Sequence, residues 1–389
     1  MLTGKDIYGS PEIIDTENNS VAFFGVTRSG KSTQIKKLLQ NNTDTLNIVL
    51  DLKGEYLNRF YKPGDKVLCL HDTENFPNEK WSIMREILSS PYPETAAAEI
   101  ADSLFAEAVR QSSQTFFPRS ARTVWEVYTR LMIRKFSKTP PTNLQLITSI
   151  LSFDADKLIE ECKPYPELLG VKPLLAGAAP TVMGIKAELN QVLYDTFRGS
   201  FCSEGSFSIC DYVRNNTGTV FLLSSLNELQ SCRNAFRIII DLAIKEAISK
   251  TKKAEKVYFF LDELPIIGRL SNLSTLLNFG AGFGAYAVIG TQNIAQLNSV
   301  YGESEANSLL SGIRTHIVFG ANDTKTAEYF SARSGTKQRS TTKVGIDRKA
   351  VTTTAELPAV STEEFLHLKT GQAFYFDSGA PAKYIFFDK

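Results

Sequence analysis

Eight consecutive residues, Gly25-Val26-Thr27-Arg28-Ser29-Gly30-Lys31-Ser32, set two glycines, a lysine and a hydroxyl at the spacing G-x-x-x-x-G-K-[ST]. The chemistry of that spacing is phosphate binding. Glycines let the backbone wrap closely around an anion, so that successive N–H groups and a following helix N-terminus point at it. Lys31 would reach the outer phosphates of a nucleotide, and Ser32 would ligand Mg²⁺. The candidate nucleotide contacts are therefore Gly25, Thr27, Arg28, Ser29, Gly30, Lys31, Ser32 and Thr33, with ATP and Mg²⁺ as the implied ligands.

A second piece of chemistry sits far downstream. Val257-Tyr258-Phe259-Phe260-Leu261-Asp262-Glu263 is an apolar strand pattern ending in two acids. A buried strand of this kind can fix Asp262 beside the Mg²⁺ held by Ser32, while Glu263 orients and deprotonates an attacking water. A surface Asp-Glu turn is the alternative reading. The following strand pattern ends in Gly290-Thr291-Gln292-Asn293, which makes Gln292 a candidate γ-phosphate sensor, or else a helix cap. Asp51-Leu52-Lys53-Gly54-Glu55 closes another apolar run and reads as a strand–turn–helix link.

These groups need elements to position them. Ser20–Phe24 precedes the glycine loop as a strand, and 33–40 follows as a helix. Further strand patterns are Asn47–Asp51, Lys66–Leu70, Gly218–Leu223, Ala285–Ile289 and Thr315–Phe319. They are nearly continuous in apolar residues, as strands covered on both faces are. Helical stretches such as Ala235–Thr251 separate several of them, which predicts an α/β domain with a mostly parallel central sheet. Between Pro93 and Ser200 no strand pattern stands out. Helical spacing recurs there over 99–109, 120–136, from Thr142, and over 183–197, so an all-α domain interrupts the α/β domain. The division is 1–88 and 192–389 for the nucleotide-binding domain and 89–191 for the all-α domain.

At 389 residues the chain suits one large domain or two ordinary ones. Apolar content of 43% and charged content of 22% are globular values, and a net charge of +1 gives no global basic field to attract nucleic acid. Local basic segments remain. Arg333, Lys337, Arg339, Lys343, Arg348 and Lys349 lie among Ser, Thr and Gly against the single acid Asp347, as a mobile segment that follows phosphates or as a solvated loop. Arg119, Arg122, Arg130, Arg134, Lys135 and Lys138 outline a second basic face, with Phe116, Phe117, Trp125 and Tyr128 as stacking residues or core. The five cysteines form no C-x-x-C pair, which speaks for free thiols in a reducing compartment, and His71, His316 and His367 are packed or surface histidines. No apolar run reaches membrane-spanning length, and the polar start is no signal peptide, so the expected location is cytoplasmic.

Taken in order, these pieces resemble the type IV coupling proteins of bacterial conjugation, within the FtsK/HerA superfamily of DNA-pumping ATPases. The resemblance rests on Gly25–Ser32, Asp51–Glu55, the segment with Trp81, Leu261-Asp262-Glu263-Leu264-Pro265, and Gln292-Asn293-Ile294-Ala295-Gln296-Leu297 with Tyr301-Gly302. It continues through 318–323, 326–329, 361–365 and 368–372, and so spans nearly the whole chain.

The resemblance implies a RecA-like motor domain carrying an all-α domain, assembled as a homo-hexameric ring around DNA and hydrolysing ATP in response to it. It implies single-stranded DNA, a relaxase and type IV secretion channel components as partners, with recruitment to the inner face of the cell membrane through a partner. Lys31 and Ser32 inherit phosphate and Mg²⁺ binding, Asp262 the metal, Glu263 water activation and Gln292 the sensor role.

Two departures stand out. Family members usually carry N-terminal transmembrane helices, so this is either a soluble member or a chain whose anchor lies outside the sequence. Some members also place a trans-acting arginine where Ala281 stands, leaving Arg314, Arg333 and Arg269 as candidates. Competing functions are a P-loop ATPase that moves protein, another FtsK/HerA-type pump outside conjugation, and a non-hydrolysing scaffold, against which Glu263 argues.

Overall fold

The computed structural model describes residues 1–42, 44–136, 139–249, 254–344, 350–377 and 380–388, with the backbone alone at 341–344 and 350–353. The chain forms two compact units. The first comprises Met1–Thr43, Lys256–Arg269 and Leu273–Lys389, and the second Asp44–Glu255 and Leu270–Asn272.

In the first unit the strand Val21–Phe24 lies between Ala285–Thr291 and Thr315–Val318, and Val257–Leu261 flanks Ala285–Thr291 on its other side, all parallel. Every residue of these four strands is buried. That is why their sequences run apolar without alternating. Beyond Thr315–Val318 the sheet turns antiparallel through Gln372–Phe376, Lys383–Phe386, Leu2–Lys5 and Pro11–Ile14. The two N-terminal strands mix buried and exposed positions, as antiparallel strands with one wet face do.

Residues 333–344 are not simply a loop. Thr336–Val344 pairs antiparallel with Ala350–Pro358 over nine residue pairs, and the paired backbone replaces the irregular segment expected from Ser, Thr and Gly content. Arg333 ends the helix Thr324–Arg333, Lys337 and Arg339 are exposed on the ribbon, and Lys343 has a strand position. Asp347, Arg348 and Lys349 lie outside the described residues.

The second unit has a parallel trio, Gly218–Leu223 between Leu46–Asp51 and Lys66–Cys69. From Ile83 to Asn215 every regular element among the described residues is helical, including Pro93–Gln111, Phe116–Lys135, Asn143–Leu151 and Ala179–Thr196. Thr142 opens Asn143–Leu151 with a capping box closed by Gln145. Fully buried Trp125, Phe105, Phe201 and Phe236 fill the core of this unit.

Glu86 anchors the start of the helical region. Its carboxylate accepts from Trp81 Nε1 (2.7 Å), Ser208 Oγ (2.7 Å) and the backbone N–H groups of Ile209 (2.6 Å) and Cys210 (3.1 Å). Burial pushes the carboxyl above the usual range, and these four donors offset only part of that push.

Among the described residues no single helix is long and apolar enough to cross a membrane. One bent pair, Pro166–Leu175 and Ala179–Thr196, has the composition but turns by 112°. Its Leu168, Leu175, Ile185, Leu189 and Leu193 are buried.

Candidate nucleotide site

Phe24 pairs with both Thr291 and Val318, and Leu261 with Ile289. Because these strands are parallel, the loops that follow them emerge from one edge of the sheet. Ligands in α/β sheets gather at such carboxyl ends. The Gly25 N–H donates to Thr291 O (3.3 Å), and the Val26 N–H to Gly320 O (3.3 Å), tying the glycine loop to both neighbouring strands.

The loop itself has the backbone its glycines predict. Gly30 adopts φ 117°, and a Cβ on Gly25 would stand 2.7 Å from both Phe319 Cβ and Ser29 Oγ. Arg28 is left-handed without being glycine (φ 67°), a strained conformation held by the bond from Ser29 N to Val26 O at 3.2 Å. The helix Lys31–Asn41 then starts with no side-chain cap and no acid in its first turn. Its first internal donor is Gln34 N to Gly30 O (3.2 Å), so the N–H groups before it stand ready for an anion. The buried Ser29 Oγ has no hydrogen-bond partner among the described residues. An uncapped positive helix end, an orphaned hydroxyl and a crowded glycine cradle all fit a phosphate group.

Lys31 is 6% exposed, and its Nζ donates to Glu263 Oε2 at 3.3 Å. This bond joins residues 232 apart in sequence and brings the glycine loop to the acidic end of Val257–Leu261. Asp262 packs against Gly290, where a Cβ would meet Asp262 Oδ1 at 2.8 Å. Lys31, Asp262 and Glu263 therefore share one sheet edge, with Ser32 in the first turn of the helix. Gln292 directly follows Thr291 at the same edge. Asn293 is the helix cap there, its side chain accepting from Gln296 N (2.9 Å), so capping falls to Asn293 and not to Gln292. Thr27, Arg28 and Thr33 complete the loop and its helix start.

Other expected groups lie elsewhere. Four cations of the proposed second basic face are paired with acids, while Arg119 is exposed. Arg122 pairs with Asp102 and Glu126, Arg130 with Glu94 and Glu126, Arg134 with Glu94 and Glu167, and Lys135 with Glu161. Packing of the helices supplies Glu94, Asp102, Glu161 and Glu167 from other elements, while Glu126 lies one turn away on the same helix. Trp125 is fully buried and is core, and Lys138 lies outside the described residues. Of the arginines weighed for a trans role, Arg314 bonds Asp377 (2.9 Å), Arg269 bonds Glu305, and Arg333 bonds Tyr329 Oη (2.8 Å).

Sequence reasoning left Leu368–Gly371 without a structural role beside this loop. Gly371 N donates to Ser29 O at 2.9 Å, and a Cβ on Gly320 would meet Leu368 O at 2.9 Å. The glycine in Lys369-Thr370-Gly371-Gln372 was the one available signal.

A family model described as the type IV secretion-system coupling protein DNA-binding domain matches residues 6–362. The coupling protein TraD of Escherichia coli (strain K12) is 25% identical over 353 residues, covering 86% of this chain and 47% of that protein. The conjugal transfer protein TraG of Agrobacterium fabrum (strain C58 / ATCC 33970) is 27% identical over 203 residues, 50% of this chain and 30% of that protein. The chain thus spans about half or less of the length of these curated relatives. Among solved structures, the unbound conjugative coupling protein TrwBdeltaN70 superposes with a TM-score of 0.80 at 20% identity, over 100% of this chain and 88% of that one. TrwB in complex with ADP and Mg²⁺ superposes with a TM-score of 0.75 at 21% identity, over 100% and 90% of the two chains. The shared fold is an α/β P-loop NTPase fold.

Proposed function

The chain belongs to the type IV secretion-system coupling protein family, and from that premise we propose that it is a DNA-dependent ATPase. It works as a homo-hexameric ring that translocates relaxase-bound, single-stranded DNA towards a type IV secretion channel. A partner recruits it to the inner face of the membrane. The observation that carries the reading is the 3.3 Å contact between Lys31 Nζ and Glu263 Oε2, which puts a phosphate-binding lysine and an acid able to order water in one place. Solved structures of the related TrwB with ADP and Mg²⁺, and with a non-hydrolysable ATP analogue, support the choice of nucleotide.

Phosphoryl transfer asks for positioning and charge neutralisation more than covalent chemistry. Gly25, Thr27, Arg28, Ser29, Gly30 and Thr33 shape the cradle. Lys31 leaves Glu263 for the outer phosphates, which frees Glu263 to align and deprotonate the attacking water. Ser32 and Asp262 would hold Mg²⁺, which neutralises charge between the outer phosphates when bound. Gln292, beside Thr291, reports the state of the terminal phosphate to the rest of the sheet. Domain limits of 1–88, 89–191 and 192–389 accompany this reading; the all-helical run from Ile83 to Asn215 supports a helical middle and extends past both inner limits.

DNA contact falls to the ribbon. Cross-strand pairing puts Lys337 with Leu357 and Arg339 with Ala355 on one face, and Gln338 with the acid Glu356 on the other. Alternate residues of a strand share a face about 6.7 Å apart, so the two exposed cations form a row suited to a phosphate backbone. The test is ATP turnover against protein concentration, with and without single-stranded DNA, for the wild type and Lys31→Ala. The reading requires DNA to raise turnover, turnover per chain to rise with concentration, and the variant to be inactive. Turnover indifferent to saturating DNA refutes it.

A further inference from the structure

The turn that follows the helix Thr362–Leu366 is built with more care than a connection needs. Lys369 O accepts from Gln372 N (2.9 Å), and the Gln372 side-chain Oε1 accepts in return from Lys369 N (2.8 Å). Gly371 occupies the third position with φ 87°, the left-handed geometry of a type II turn. A Cβ there would stand 2.8 Å from Phe387 O, and Gly371 O accepts from Phe387 N at 2.8 Å. The turn is thus locked to the C-terminal strand region on one side.

Its other side faces the phosphate cradle. Gly371 N donates to Ser29 O at 2.9 Å. A peptide group is planar and trans, so its carbonyl and the next N–H point in opposite directions. Holding Ser29 O towards Gly371 therefore turns the Gly30 N–H away from it. Phe319 packs beside this peptide, its ring lying 3.3 Å from where a Gly30 Cβ would be.

We propose that the Lys369–Gln372 turn is the positioning element of phosphate recognition, fixing the Ser29–Gly30 peptide so that its N–H is presented before nucleotide arrives. Gln372 is then a positioning residue that acts through Gly371 and Ser29 without touching the ligand. Preorganisation of this kind appears as affinity, because the loop does not have to be ordered at the moment of binding. The inference rests on the nucleotide-binding reading above.

The experiment measures the dissociation constant of ADP, with no turnover required, together with the melting temperature of the nucleotide-free protein. Gln372→Ala removes the acceptor that closes the turn and weakens ADP binding by about 3- to 10-fold, the range for one lost neutral hydrogen bond. Gln372→Glu keeps an oxygen acceptor for Lys369 N and restores binding to within about twofold of the wild type. A purely structural role would lower the melting temperature of Gln372→Ala and leave the affinity of the folded protein unchanged. ADP affinity equal in the wild type and Gln372→Ala, or no rescue by Gln372→Glu, overturns the proposal while leaving the nucleotide site intact. Wild-type protein that binds no ADP sinks the nucleotide reading, and this inference with it.

Discussion

Glu263→Gln separates the contact that Glu263 makes with Lys31 from the water-activating role proposed for it. Glu263 holds the Lys31 ammonium at 3.3 Å, with the lysine side chain only 7% exposed and the glutamate 22%. At an effective dielectric constant of about 20, two unit charges at that separation attract by about 5 kcal/mol. Desolvation offsets much of this. The pair lies between surface ion pairs, worth about 0–1 kcal/mol, and fully buried ones, whose disruption costs about 3–5 kcal/mol. A net value of about 1–2 kcal/mol follows, and nucleotide must displace that contact to reach Lys31. Removing the charge while keeping the shape should therefore tighten ADP binding in the absence of Mg²⁺ by about 5- to 30-fold. The same change leaves a buried ammonium without its counter-charge, so the nucleotide-free protein should melt about 1–2 °C lower. Hydrolysis should fall by about 10²–10⁴, the usual contribution of a general base. Calorimetric titration with ADP, a thermal melt and a turnover assay read the three effects. ADP affinity that is unchanged or weaker in the variant would refute the competition argument, whatever happens to turnover.

Two more outcomes follow from the same geometry. Lys337→Glu with Arg339→Glu should weaken binding to single-stranded DNA and reduce the slope of log K against log salt by about 1.4, at about 0.7 per phosphate contact; an unchanged slope would move the DNA contact off the ribbon. His316 lies inside the sheet at 2% exposure, and burial, with the Arg333 charge adding to it, pushes its imidazole down to about 3. The unfolded chain takes up a proton near pH 6.5 that the folded site refuses, so this group costs stability as pH falls below that value, by up to about 1.4 kcal/mol per unit. Denaturant unfolding of the wild type and His316→Leu at pH 7.5 and 5 should show the stability difference shifting in favour of the variant at the lower pH. Asp241, buried and raised to about 6, has the opposite sign but is common to both proteins and cancels in the comparison. A difference independent of pH would count against the buried-neutral imidazole.

What was legible in the sequence is chemistry carried by neighbours in the chain. The glycine loop announces itself because Gly25, Gly30, Lys31 and Ser32 act through local backbone geometry, and the central strands because burial on both faces leaves no polar alternation to obscure them. The antiparallel edge was not legible. Leu2–Lys5 and Pro11–Ile14 are four residues each, and Lys5 finds its partner in Phe386 at the opposite end of the chain. Nor was the ion pairing along Phe116–Lys135, since Glu94 and Glu167 meet Arg134 only once the helices have packed. The ribbon of Thr336–Val344 and Ala350–Pro358 escaped because pairing, not a run of apolar side chains, organises it.

Asp51 shows why a motif match and a functional group have to be argued separately. The stretch Asp51–Glu55 contributes to the family resemblance and stands at the end of a buried strand, as Asp262 does, so analogy alone would give it a place in catalysis. Its carboxylate is already engaged. Oδ2 accepts from Tyr56 N (3.0 Å) and Leu57 N (2.8 Å), Oδ1 from Lys53 N (3.3 Å), and the side chain is buried. Gly54 turns the chain at φ 71° into the helix Glu55–Phe60. Three backbone donors around one acid make a helix start, and they account for the aspartate, the glycine and their spacing without any ligand. Glu263 differs in the single respect that matters: its charge faces Lys31, so on the proposed reading a nucleotide that takes the lysine breaks that contact and leaves the acid to water.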